Sequence, residues 1–172
     1  MAAGRQGGCK VDYKIFGQLD GPVYGRQDME DGQAYMERIM KAVFLGERRD
    51  DTRHIYDKMH GTFAGCCFKD KELKMEYPVQ QWELNPMQTM HGGLITTAVD
   101  MTCGLLVRFY KQSVSAATVH LSVDFLRPLR LGEVFTVRAK INRQGRRILF
   151  LTAEVVASDG GQPAATASGT FV

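Results

Sequence analysis

Apolar residues along this chain follow two spacings. Between Gln27 and about Phe44, the residues Tyr35, Met36, Ile39, Met40, Val43 and Phe44 recur at i, i+1, i+4, i+5, i+8 and i+9. That spacing lines one face of a 3.6-residue period and predicts an amphipathic surface helix. From Val119 onward the period is two. Val119, Leu121, Val123 and Phe125 alternate with His120, Ser122 and Asp124, and Phe135, Val137, Ala139 and Ile141 alternate with Thr136, Arg138, Lys140 and Asn142. Each run predicts a strand with one buried face. Residues 147–157 and Ala164 to Phe171 predict two more, joined through Gln144-Gly145 and through Asp159-Gly160-Gly161 as hairpin turns. Earlier strand character runs from Thr62 to Phe68 and from Leu73 to about Leu84, with Lys69-Asp70-Lys71 as the turn between them. The strands after residue 118 are expected to form mostly an antiparallel meander.

One stretch obeys neither alternation nor a one-faced helical period. From Gly92 to Tyr110 the chain is apolar or small nearly all round, and between Asn85 and Leu106 only Asp100 is certain to be charged at neutral pH. As a helix it spans roughly 27 Å at ~1.5 Å per residue, and a helix apolar on all sides belongs inside a sheet. Two strands, one such helix and four further strands make an α+β architecture, an antiparallel sheet of about six strands wrapped around a long central helix. Ahead of it, residues 1 to about 26 are glycine-rich and read as a mobile lead-in. Glu47-Arg48-Arg49-Asp50-Asp51 ends the first helix or links it to a short second one near Ile55 to Met59. The expected division is an irregular and helical extension over 1–58 and a domain over 59–172.

Composition narrows the function classes. At 172 residues and 44% hydrophobic content the chain can close one core. A net charge of +3 is too small to argue for nucleic acid. Cys9, Cys66, Cys67 and Cys103 lack the spacing of zinc ligands and read as reduced thiols of a cytoplasmic protein, with no metal site. The first ten residues have no apolar stretch behind them, so no secretory signal is expected. No run of the ~18 apolar residues of a membrane span is present, and no membrane partner is expected.

The chemistry gathers around the helix. Asp100 has Thr96, Thr97, Cys103 and Gly104 as i±3 and i±4 neighbours, all small, which leaves room beside its carboxylate. A buried acid there is hydrogen-bonded, shifted in pKa or facing a cavity. It serves as a general base or nucleophile, or else caps a shorter helix. Gly92-Gly93 opens the helix where free N–H groups and the positive dipole end point outward, a place an oxyanion can reach; a tight turn would also explain the pair. His91 has a positioning role in preference to a catalytic one, and Asn85, before Pro86, offers an amide donor or plain turn chemistry.

Asn85-Pro86-Met87-Gln88-Thr89-Met90-His91-Gly92-Gly93 followed by Asp100 resembles the Asn-x5-His-Gly-Gly-x6-Asp pattern of hotdog-fold acyl-CoA thioesterases, in the branch of the phenylacetate-pathway thioesterase and thioesterase superfamily member 2. Asp124-Phe125-Leu126-Arg127-Pro128-Leu129 with Gly132, Gly145-Arg146 and the closing Ala167-Ser168-Gly169-Thr170-Phe171 are similar to that family too. The resemblance covers about residues 60 to 172. It implies a hotdog fold in which Asp100 activates water or attacks a thioester carbonyl, the Gly92 N–H binds the oxyanion, Asn85 positions thioester or water, and His91 supports. It further implies a homodimer with shared active sites, Gly92 and Asn85 from one subunit and Asp100 from the other, assembled as a dimer of dimers. A Ser or Thr early in the following strand assists the water in some relatives, and Thr118 falls there, although plain alternation puts Thr118 on the polar face with His120. Arg127, Arg143, Arg146 and Arg147, among the basic residues after the helix, are of the kind that meets coenzyme A phosphates in similar proteins, with Arg146 and Arg147 foremost; a solvated basic face would also explain each of them. The implied substrate is an acyl-CoA and no further cofactor is expected. Two alternatives stay open: a hotdog enoyl-CoA hydratase/dehydratase, and a non-catalytic acyl-CoA binding module.

Overall fold

The computed structural model describes residues 29–44, 54–113, 115–157 and 160–172. The expectations for residues 1–26 and for Glu47-Arg48-Arg49-Asp50-Asp51 lie outside these residues. In order the chain forms α1 (Met29–Phe44), α2 (Ile55–Lys58), β1 (Thr62–Cys67), β2 (Glu72–Pro78), a 3₁₀ turn (Gln81–Glu83), α3 (Gly92–Lys111), β3 (Thr118–Phe125), β4 (Val134–Gln144), β5 (Leu149–Ala157) and β6 (Ala165–Phe171). All six strands pair antiparallel in one sheet of order β1-β2-β4-β5-β6-β3.

The α+β hotdog architecture expected from the sequence is what forms, with three differences in detail. β3 does not sit beside β4 as a simple meander requires. Residues 126–133 carry the chain across the end of the sheet, held by the N–H groups of Leu126 and Arg127 on the Ala164 carbonyl, and β3 pairs β6 at the far edge. The second strand stops at Pro78, not near Leu84, because the Gln80 N–H turns onto the Glu83 carboxylate and winds the chain into the 3₁₀ turn. Val119, placed on the buried face by alternation, is 60% exposed.

α3 lies under the concave face of the sheet. Leu105, Leu106 and Phe109 of the helix are fully buried in one core with Tyr77, Phe135 and Phe171 of the strands. Among the described residues α3 is the one helix whose length and composition would suit a membrane span; its burial beneath the sheet accounts for that composition. α1 adds Met36, Ile39, Met40 and Val43 to the same core. Its Gln33 also closes the end of β1, accepting from the Phe68 N–H at 2.8 Å and donating to the Cys66 carbonyl at 2.9 Å.

The two edges of the sheet are treated differently. β1 carries a bulge between Phe63 and Gly65 and is tied to α1, devices that blunt an edge. Over β3 no element of the described chain is laid, and Leu121 and Val123 on its helix-facing side are only partly covered.

Candidate active site

Asp100 lies in the middle of an unbroken α3, which rules out the reading of it as the cap of a shorter helix. The acid expected to be buried is only half-buried, because it faces the open β3 edge and not the closed centre of the sheet. Its Oδ1 accepts a 2.6 Å hydrogen bond from the Thr118 hydroxyl. Thr118 reaches it through a β-bulge. Register is regular from His120 to Phe125 against β6 but shifts between Thr118 and His120, so Val119 is the extra residue and Thr118 pairs with Phe171 on the helix face. Alternation counted straight through the strand puts Thr118 on the wrong side for that reason.

The start of α3 is organised by its own neighbours. His91 is the N-cap, with Nδ1 accepting from the Gly93 N–H at 3.1 Å. In that neutral tautomer Nε2 carries the proton as a donor. Thr96 and Thr97 return their hydroxyls to the Gly92 and Gly93 carbonyls. The N–H of Gly92 takes no partner among the described residues. Asn85 builds the turn before the helix: its Oδ1 accepts from the N–H groups of Met87 and Thr89, and its Nδ2 donates to the Thr89 hydroxyl. Turn chemistry is therefore part of what Asn85 does, and one amide proton is left over for another acceptor.

Glu83, which sequence reasoning passed over as part of a strand, underlies this turn. Its carboxyl is fully buried, Oε2 accepts the Gln80 N–H, its backbone carbonyl accepts the His91 N–H, and Oε1 has no hydrogen-bond partner among the described residues. The Gln80-x-x-Glu83 spacing is the signal that could have marked it, as a capping box. Burial raises the Glu83 carboxyl above its ordinary value, and the bonds from Gln80 pull only part of the way back. A raised folded-state value means that the stabilisation is fully present below the unfolded value of roughly 4.3 and is lost as pH rises through the folded one. Glu83→Gln keeps an oxygen for the Gln80 N–H and removes the charge. It is expected to flatten this loss, gaining stability relative to the parent as pH rises, in urea denaturation followed from pH 4 to 8.

Cys103, one turn from Asp100, is buried, and burial first and the Asp100 charge second push its thiol up to about 12. At pH 8 that leaves a thiolate fraction of ~10⁻⁴. Iodoacetamide is therefore expected to leave Cys103 unmodified in the folded protein and to label it once urea is added, read by peptide mass spectrometry.

The four arginines offered as phosphate contacts do not come together. Arg143, Arg146 and Arg147 line one surface groove of about 410 Å³ with Ile148 and Phe150 at the β4–β5 hairpin. This hairpin is at the Thr118 end of the sheet, since Leu149 pairs with Phe171 and Phe171 with Thr118. Arg127 follows the opposite end of β3, where its Nε donates to the Gln162 carbonyl. Among the described residues no group of three or more His, Cys, Asp or Glu side chains could hold a metal ion.

A helix enclosed by a six-stranded antiparallel sheet, with a small-residue face carrying one acid toward an edge strand, defines the class as hotdog-fold. Residues 87–164 match the family model of the thioesterase superfamily, and the resemblance read from the sequence thus holds over that region. The chain is 24% identical over 92 residues to mouse acyl-coenzyme A thioesterase 13, an alignment covering 54% of this chain and 66% of that protein. In fold it is similar to the E. coli PaaI protein of the phenylacetic acid degradation operon, at a TM-score of 0.65 and 18% identity over 84% of this chain and 94% of that one. It is also similar to smu.793 of Streptococcus mutans, solved bound to acetyl CoA, at a TM-score of 0.60 and 20% identity over 71% and 92%.

Proposed function

We propose that this chain hydrolyses acyl-CoA thioesters to a free acid and coenzyme A, as a homodimer whose active sites are shared. The observation that carries the reading is the Thr118–Asp100 hydrogen bond at the uncovered β3 edge. The thioesterase match over residues 87–164 and the acetyl CoA held by a protein of the same fold support it.

Asp100 and Gly92 are eight residues apart on one helix, about 12 Å along its axis at ~1.5 Å per residue. A base acting on a carbonyl carbon and a donor to its oxygen must both lie within hydrogen-bond reach of one small group. One chain therefore supplies half of each site, and a second copy pairing along β3 brings its own Gly92 end to Asp100. Thr118 donates to Oδ1 and leaves Oδ2 to act. Asp100 either takes a proton from water as it attacks the thioester carbon, or attacks itself to form an anhydride that water opens. In both routes the Gly92 N–H of the partner subunit holds the oxygen as it gains negative charge, and collapse breaks the C–S bond and releases the thiolate. His91 holds the first turn of α3, and the spare Asn85 amide proton orients the thioester or water. Arg143, Arg146 and Arg147, side by side at the Thr118 end, suit the coenzyme A phosphates; Arg127 stands apart from that group. No metal or redox cofactor takes part in this sequence, and the free cysteines fit a cytoplasmic setting.

The test is a thiol-trapping screen over short, medium, long and aromatic acyl-CoAs. Thiol release that saturates with one class supports hydrolysis. Tight coenzyme A binding without release points to a binding module, and loss of the double bond of an enoyl-CoA points to a hydratase.

A further inference from the structure

Nothing in the backbone asks for glycine at position 92. The glycines with positive φ among the described residues are Gly65, Gly132 and Gly160. What crowds a side chain there is the ring of Phe125: a Cβ on Gly92 would come within 3.0 Å of its Cζ, 3.3 Å of Cε1 and 3.4 Å of Cε2, so the ring would have to give by a few tenths of an ångström. Phe125 is the last residue of β3, on the helix-facing side opposite Ala165. Although it is packed on Gly92, it remains 53% exposed. One part of the ring is therefore closed against the helix start and the rest is open to whatever approaches. The N–H beside it is the one in the Gly92-Gly93 pair that His91 does not take up.

We propose that Phe125 is a positioning residue of the active site: its ring seals one side of the Gly92 N–H against water and walls the subsite where the thioester oxygen is held. This rests on the thioester-hydrolase reading above. A hydrogen bond to a developing oxyanion is worth far more in a water-excluded place, and the wall that excludes water acts through the donor without touching the bond that breaks. The same contact explains the glycine. The oxyanion interaction uses only a backbone N–H, which alanine also has, so a methyl at 92 is set against the Phe125 ring and not against the chemistry.

The experiment combines kinetics with a double-mutant cycle. Phe125→Ala is expected to lower kcat by roughly tenfold, a part of the 10²–10³ that an oxyanion donor supplies, while the Kd for free coenzyme A, by calorimetry, stays within about twofold of the parent. Phe125→Tyr, which keeps the ring, should restore most of kcat. The change in Tm on Gly92→Ala should be more favourable in the Phe125→Ala background than in the parent, a coupling read from the double-mutant cycle. Unchanged kcat in Phe125→Ala overturns the proposal. So does a parallel loss of kcat and coenzyme A affinity, which would make the ring a general binding surface. If the parent protein releases no thiol from any acyl-CoA, the hydrolase reading falls, and with it the role given to Phe125. The Tm coupling in the cycle would then still report the Gly92–Phe125 contact, so the two failures are told apart.

Discussion

Asp100→Asn is expected to lower kcat for acyl-CoA hydrolysis by on the order of 10² or more, the usual worth of a general base or nucleophile. The fold should survive the change. The acid is half-buried and not enclosed, and an amide oxygen at the same place still accepts the Thr118 hydroxyl that now sits 2.6 Å from Oδ1. What is lost is the capacity to take a proton or form an anhydride, so KM should move little compared with kcat. Steady-state kinetics with the preferred acyl-CoA, alongside a thermal melt, would decide it. Parent-like turnover in Asp100→Asn would remove the mechanism.

The second large effect is a gain of activity on mixing two inactive proteins. Asn85→Asp keeps an oxygen to accept the Met87 and Thr89 N–H groups that shape the turn. It replaces the spare amide proton with negative charge where an oxyanion would form. Alone, each variant carries only damaged sites. In a mixed dimer, Asp100 from the Asn85→Asp chain faces intact Asn85 and Gly92 from the Asp100→Asn chain, giving one whole site, while the other site has both lesions. Random reassortment at equal amounts makes half the dimers mixed, so about a quarter of the parent activity should return. Assays after co-unfolding and refolding would measure it. No recovery from dimers shown to be mixed would mean that each site lies within one chain, despite the ~12 Å that separates Gly92 from Asp100 along α3.

The parts of this molecule legible in the sequence are those set by local spacing. α3 could be read because a long uncharged run broken by one acid has no place but a core, and the first turn could be read because His91, Gly92 and Gly93 are contiguous. Facing across the sheet is another matter. Alternation tells which side of a strand a residue occupies, not which strand is its neighbour, so the crossing of β3 to β6 left no mark in it. Nor does it register an extra residue: Val119 is apolar and fits the pattern it interrupts, so alternation alone places Thr118 outward. Glu83 was hidden in a run that looks extended until the Gln80 N–H is seen on its carboxylate. Arg127 and Arg143 look like members of one basic cluster in sequence, yet β3 and β4 leave them at different ends of the sheet.

The bulge at Val119 also makes β3 a strand in two phases. Downstream of it, Leu121, Val123 and Phe125 are held in step by what they pack against, and upstream Thr118 is held in step by Asp100. A one-residue slip within 120–125 would turn every side chain there to the opposite face. Removing Val119 itself would leave His120 outward and Thr118 inward, because only the spare half-period disappears. The strand thus has a single joint at which its length can change without moving either the acid's partner or the apolar set. Insertions and deletions tolerated in β3 should collect at that joint.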